Sequence, residues 1–207
     1  MRIQAVKKKT EAKRQAILQV AADTFNELGF EKTSMSEICS RVGGSKATIY
    51  NYFASKEELF FEVMSLSTEI KFQAVHNAIN QLTEDIRESL YQFGEKLLTF
   101  LYSSDIRAQR HLGIAESGRT DLGRITYERG VLRSQNLMTD FLQNAMMQGK
   151  LKQADPVIAT RHLYSLLESE LIDKFLFRIL EDVSDKEIKT ITIRAIDVFM
   201  AAYGIEN

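Results

Sequence analysis

The chain has 207 residues, 44% of them hydrophobic and 27% charged, with a net charge of −1 that argues for neither a polyanion binder nor a disordered chain. One proline and ten glycines are too few for a many-stranded β protein, which needs a turn signal about every 8–12 residues. Cys39 has no second cysteine to pair with, which fits a reducing compartment, and no stretch approaches the ~18 uninterrupted apolar residues of a membrane span.

Met1 to Arg14 is basic but runs into charged residues rather than an apolar stretch, so no signal peptide is expected and the chain reads as cytoplasmic. From Lys9 to Leu28, Ile17, Ala21, Phe25 and Leu28 recur at helical spacing, and Gly29 is placed to end the helix. Ser34-Met35-Ser36-Glu37 is a capping-box sequence, with a serine oxygen for an open amide and a glutamate to reach back. The short helix behind it stops at Gly43-Gly44. Ser45 is placed to cap another, Lys46 to about Tyr52, and Ser55-Lys56-Glu57-Glu58 is a second box opening a long helix to about Asn80.

Thr83 or its acidic neighbours open a helix to about Tyr102, striped by Ile86, Leu90, Phe93, Leu97 and Leu101. Asp105 to Ser117 reads as a shorter helix ended by Gly118, and about Asp121 to Gln148 as one long helix ended by Gly149. Asp155-Pro156 is a clear start, an aspartate cap followed by proline where its missing N–H does no harm. That helix is expected to run to about Glu181, and Ser184-Asp185-Lys186-Glu187 is a third box before the last helix. The expectation is an all-α chain of about nine helices with no strands.

The near-neutral total hides a split. In the first 56 residues Arg2, Lys7, Lys8, Lys9, Lys13, Arg14, Lys32, Arg41, Lys46 and Lys56 outnumber Glu11, Asp23, Glu27, Glu31 and Glu37, and the remainder is acidic. Such asymmetry points either to nucleic-acid contact by the basic part or to a solvated basic tail. The three helices before Tyr52 meet the requirements of a helix-turn-helix: a supporting helix, a glycine turn at Gly43-Gly44, and a second helix whose side chains can reach base edges. Lys46, Ala47, Thr48, Tyr50, Asn51 and Tyr52 are groups able to contact bases and phosphates, while Ile49 and Phe53, four apart, face inward.

The run Thr33-Ser34-Met35-Ser36-Glu37-Ile38-Cys39-Ser40-Arg41-Val42-Gly43-Gly44-Ser45-Lys46-Ala47-Thr48-Ile49-Tyr50-Asn51-Tyr52-Phe53-Ala54-Ser55-Lys56-Glu57-Glu58-Leu59, preceded by Gly29-Phe30, closely resembles the DNA-binding domain of the TetR family of bacterial regulators. One departure is Gly44, where the family has a small β-branched residue beneath the turn. The resemblance implies that Lys46, Ala47, Thr48 and Asn51 face bases and that Tyr50 and Tyr52 hold the phosphate backbone. It also implies phosphate contacts by Lys56, Thr33 and Ser34, with Ser45 capping the recognition helix among them. Lys7-Lys8-Lys9, with Lys13 and Arg14, is either an arm along the duplex or a solvated terminus. Cys39, beside Met35, Ile38 and Val42, reads as a core residue in preference to a redox switch.

The resemblance divides the chain into a DNA-binding domain, residues 1–56, and a helical ligand-binding and dimerisation domain, residues 57–207. The segments His111-Leu112-Gly113-Ile114-Ala115-Glu116-Ser117-Gly118-Arg119 and Tyr127-Glu128-Arg129-Gly130 resemble the C-terminal part of an AefR-like and multidrug-pump-regulator subgroup. The last two helices, 157–180 and 187–203, carry more apolar perimeter than one hairpin buries, which suits a dimer through a four-helix bundle. The family enclosure for a small hydrophobic effector would be lined by Met64, Phe93, Leu97, Phe100, Leu101, Leu112, Tyr127, Val131, Tyr164 and Leu167, with Glu116 and Glu168 as polar groups; ordinary core packing is the alternative for each. Glycines within the helical patterns, such as Gly94 and Gly113, make room for a neighbour or a ligand.

Enzyme readings find no support. The residues three before His76, His111 and His162 are Gln73, Ala108 and Ala159, not the glutamates of a di-iron bundle. No metal spacing, glycine-rich phosphate loop or nucleophile triad is present, so no cofactor is expected. The sequence thus reads as a homodimeric TetR-type repressor on a palindromic DNA operator, released by a small hydrophobic effector and not associated with a membrane.

Overall fold

A computed structural model describes residues 2–43, 45–80 and 85–205. Gly44 and the Thr83 start signal lie outside the described residues, as do the side chains of Lys7, Lys8 and Lys9. The helices are α1 (Arg2–Lys32), α2 (Met35–Val42), α3 (Lys46–Tyr50), α4 (Lys56–Asn80), α5 (Ile86–Leu101), α6 (Ser104–Glu116), α7 (Leu122–Thr126), α8 (Arg133–Met147), α9 (Pro156–Glu168), α10 (Ile172–Leu176) and α11 (Asp185–Tyr203). No strand occurs among the described residues; Leu151 and Gly204 form one isolated bridge.

Side-chain oxygens start the helices. Ser34, Ser45, Asp85, Asp155 and Ser184 accept from first-turn amides of α2, α3, α5, α9 and α11, satisfying donors that a helix leaves open. The Ser184 box closes in both directions. In the Ser34 box Glu37 turns away and accepts from Arg41 Nε at 2.7 Å. At Ser55 the hydroxyl accepts from the Glu58 amide at 3.1 Å, while the Glu58 carboxylate takes the Ala54 amide at 2.8 Å.

Gly29 interrupts α1 with φ 78° and ψ 166°, a backbone region that only glycine occupies at low cost. The helix expected to end at Gly29 kinks there instead and resumes to Lys32.

Two segments differ from the expectation. The single helix expected over 121–148 contains a π-helical turn, Tyr127–Leu132, between α7 and α8. The helix expected to reach Glu181 ends at Glu168, and α10 is separate; these two divisions raise the helix number from about nine to eleven among the described residues. Tertiary contacts account for the second. Glu168 accepts from the Tyr102 hydroxyl at 2.8 Å and from Arg110 at 2.7 Å. Phe175 lies under the Arg110 guanidinium at 4.3 Å and stacks on the His111 ring at 4.2 Å. Leu176 and Phe177 follow, exposed, and Arg178 reverses the backbone at φ 58°.

The chain divides into two compact units, Met1–Glu69 with Glu116–Ile125, and Ile70–Ala115 with Thr126–Asn207. The first has a core of Ile17, Leu18, Phe25, Phe30, Ile38, Ile49, Phe53, Leu59 and Phe60. Phe60 meets Phe25 and Phe30 at ring-centre distances of 5.0 and 4.9 Å, edge to face, a preferred aromatic geometry. Glu116, Leu122 and Ile125 are buried in this unit as well.

In the second unit α5, α8, α9 and α11 bury Leu90, Phe93, Leu97, Met138, Leu142, Leu163, Leu167, Ile196 and Phe199. A side-chain carbon at Gly94 would come within 2.7 Å of Thr192 Cγ2 and 2.8 Å of Leu167 Cδ2, so this glycine lets α5 approach its neighbours. The room it makes is taken by those two side chains. Gly113 similarly accommodates Thr126, at 3.0 Å.

Candidate nucleic-acid interface

In the first unit α2 and α3 form two arms of a helix-turn-helix. α2 ends at Gly43, left-handed at φ 69°, whose amide donates to the Cys39 carbonyl at 3.2 Å. Cys39 itself is buried beside Ile38 and Met35. Ser45 starts α3: its Oγ accepts the Thr48 amide at 3.2 Å and lies 2.8 Å from the Thr48 hydroxyl. Ile49, fully buried, and Phe53 fasten α3 to the core from below.

With Ile49 turned inward, Ser45, Lys46, Ala47, Tyr50 and Asn51 are exposed, and Thr48 and Tyr52 are half-buried. α3 ends at Tyr50, so Asn51 and Tyr52 belong to the turn after the helix rather than to the helix itself. Ser34 is exposed at the start of α2.

Two expected phosphate contacts carry other bonds. Thr33 is only 2% exposed and its hydroxyl donates to the Gly29 carbonyl at 2.7 Å; its side chain serves the kink, leaving Ser34 as the outward hydroxyl of the pair. The Lys56 ammonium donates to the Phe30 carbonyl at 3.0 Å and lies 4.2 Å over the Phe30 ring. An ammonium has three donors, so Lys56 keeps capacity for a further acceptor. Among the basic residues of α1, Arg14 pairs with Glu62 and lies 5.3 Å over the Phe53 ring. Arg41 is held between Glu27 and Glu37, and its guanidinium keeps the Glu27 carboxyl below the usual carboxylate range.

The expected effector residues fall into distinct settings. Met64, half-buried, and Glu116, buried with Arg119 at 2.9 Å, belong to the first unit. In the second, Phe93, Leu97, Tyr164 and Leu167 are core residues. Leu101, Leu112 and Glu168 are half-buried, and Tyr127 and Val131 on the π-helical turn are exposed. Phe100 lines an open groove with Lys71, Lys96 and Ile188.

One polar constellation escaped the sequence reading. His76 is buried in α4 with Nδ1 2.8 Å from the Phe72 carbonyl and Nε2 2.8 Å from Ser134 Oγ, and Ser134 Oγ is 2.7 Å from the Tyr164 hydroxyl. A carbonyl only accepts, so Nδ1 carries a proton. In the neutral ring Nε2 then accepts from Ser134, and Ser134 accepts from Tyr164. The available signal was His76 on the apolar stripe Phe72, Val75 and Ile79, because a buried imidazole requires partners.

Comparison with known proteins follows this division. The family model described as "Bacterial regulatory proteins, tetR family" matches residues 17–63, and "AefR-like transcriptional repressor, C-terminal domain" matches residues 88–205. The Bacillus subtilis HTH-type transcriptional regulator YfiR is 26% identical over 182 residues, 83% of this chain and 84% of that one. Among solved structures, a TetR-family protein from Mesorhizobium loti MAFF303099 superposes with a TM-score of 0.77 at 27% identity, covering 95% of this chain and 98% of its own. The flavonoid-responsive regulator FrrA gives 0.73 at 26% identity, covering 95% and 100%. With both halves of the architecture matched, the chain belongs to the TetR family of bacterial transcriptional regulators.

Proposed function

We infer that this regulator is a homodimeric repressor which holds a palindromic operator through α3 and lets go when a small hydrophobic effector binds its helical domain. The observation that carries the reading is the two-sidedness of α3: Ile49 is fully buried while Lys46, Ala47, Tyr50 and Asn51 stand outward. Few side chains read sequence in such an interface, and hydroxyls and cations around them set register on phosphate. Ser34, Ser45, Tyr50, Tyr52 and Lys56 fill that second role, with Thr48 beside Lys46, Ala47 and Asn51 on the base-facing side.

Dimerisation is supported by Val157 and Ile158 on α9 and Ile193 and Val198 on α11, large apolar side chains left exposed on the last two long helices. A symmetric pair would then offer two copies of α3 to half-sites about 34–36 Å apart, or a multiple of it. The AefR-like model is described as a repressor, which favours repression over activation. FrrA's description makes a flavonoid the first effector to try. Within the second unit, Leu101, Leu112, Tyr127, Val131, Tyr164 and Glu168 are the residues proposed to meet it. A cytoplasmic, non-enzymatic regulator needs no resident cofactor.

Mobility-shift titration of duplexes selected from a random library tests the interface. Lys46→Ala and Tyr52→Ala are each expected to weaken binding; unchanged affinity in both folded variants would remove the assignment. For release, effector and operator must weaken one another by the same factor, on the order of 5–150-fold for typical coupling. Independent binding of the two would eliminate the switch.

A further inference from the structure

Ser45 and Thr48 form a closed pair on α3. Ser45 Oγ accepts the Thr48 amide at 3.2 Å, and the two hydroxyl oxygens lie 2.8 Å apart. Whichever of them donates, the Thr48 hydroxyl is turned back to its own helix. A β-branched side chain has few rotamers open to it in a helix, and this bond selects one. The branch that Thr48 keeps for another molecule is its methyl group. Ala47, the residue before it, is exposed and carries nothing but a methyl.

Lys46 and Asn51 contrast with this pair. Both are exposed, and neither side chain has a hydrogen bond or ion pair among the described residues. They keep their full donor and acceptor capacity for base edges, where lysine suits guanine and asparagine suits adenine. A protein methyl has one counterpart in the major groove, the 5-methyl group of thymine. We propose that Ala47 and Thr48 read thymine by methyl-to-methyl contact, and that the Ser45 hydroxyl positions Thr48 for it. The inference rests on the α3 interface proposed above and adds which base each half-site must present to these two residues. Readout is thereby divided between hydrogen-bonding side chains, Lys46 and Asn51, and apolar ones, Ala47 and Thr48. A rotamer already fixed in the free protein has less freedom to lose on binding, so the Ser45 bond lowers the entropic cost of the Thr48 contact.

Duplexes selected from a random library and rebuilt with deoxyuridine at one thymidine at a time test this, since uracil differs from thymine only in lacking the 5-methyl group. For the wild type, uracil should weaken binding about three- to fourfold at one position for each of the two residues, the worth of one buried methyl-sized group. Thr48→Ser keeps the hydroxyl and removes the methyl, so it should bind the thymine and uracil duplexes equally at one of those positions. Ala47→Gly should do the same at the other. Thr48→Val should keep the thymine preference, and Lys46→Ala should weaken both duplexes alike. Indifference of the wild type to uracil at every position would overturn the assignment while leaving α3 on DNA. So would a thymine preference lost in Thr48→Val yet kept in Thr48→Ser. A protein that binds no selected duplex would overturn the operator reading and this one together.

Discussion

The ammonium of Lys56 holds Phe30 twice, by a 3.0 Å hydrogen bond to its carbonyl and by lying 4.2 Å over its ring. The first residue of α4 thereby pins the residue that follows the α1 kink, and the Phe30 ring in turn supports Phe25 and Phe60. A side chain that the family resemblance marks for phosphate also secures the corner beside α1 and α4. Lys56→Met, which keeps the length and removes the charge, should destabilise the protein by about 1 kcal/mol in urea unfolding. It should also lower the salt slope of operator affinity by about one. A lowered slope with unchanged stability would mean that the Phe30 contacts contribute nothing.

At Gly29 the backbone, and not a crowded neighbour, dictates the residue: φ is 78° and a side-chain carbon would find open space. Gly29→Ala should therefore cost about 1–3 kcal/mol. Unfolding midpoints at unchanged denaturant slope would measure it.

Gly94 presents the opposite case, since an added methyl there meets Thr192 Cγ2 at 2.7 Å. Gly94→Ala should destabilise by about 1–3 kcal/mol through overpacking. Thr192→Ser removes the clashing methyl, so the double variant should recover part of that loss, and a double-mutant cycle reads the coupling directly.

The Tyr164–Ser134–His76 chain has a direction, and its members are unequal. Ser134→Ala removes the bond that Ser134 Oγ makes to His76 Nε2 and the one it makes to the Tyr164 hydroxyl, at about 1–3 kcal/mol for a buried hydrogen-bonding group lost from such a chain. Tyr164→Phe removes only the outer donor and should cost less. The reverse order in thermal unfolding would contradict the deduced proton arrangement.

Burial pushes the hydroxyls of both Tyr164 and Tyr102 above their ordinary value of 10, with Glu168 adding to the rise in each. The folded chain thus holds these protons more tightly than the unfolded one. Stability should be insensitive to them below about pH 10 and fall as the pH rises beyond it, following the linkage between bound protons and folding. Tyr164→Phe should flatten that alkaline decline in denaturation series run between about pH 9 and pH 11.

Much of this architecture was legible before any coordinates, because its punctuation is local. Ser34, Ser45, Asp155 and Ser184 act as caps through bonds to residues two or three positions away, and local chemistry can be read from local sequence. The inward turn of Ile49 and Phe53 follows from spacing alone. What escaped depends on distant partners. The break after Glu168 has neither glycine nor proline to announce it and is set by Tyr102, Arg110 and His111 from elsewhere in the chain. Thr33 shows the same limit at the candidate interface: composition offers a hydroxyl, but only the fold reveals that Gly29 has taken it.

Cys39 is the sole thiol of a chain without tryptophan, and on α2 it is 95% shielded within the core of the first unit. Thiol-reactive dyes can attack it only when that small core opens, so its modification rate is a built-in clock for local breathing. Slowing of that clock on operator addition would measure, without any engineered label, how firmly duplex DNA stiffens the domain that holds it.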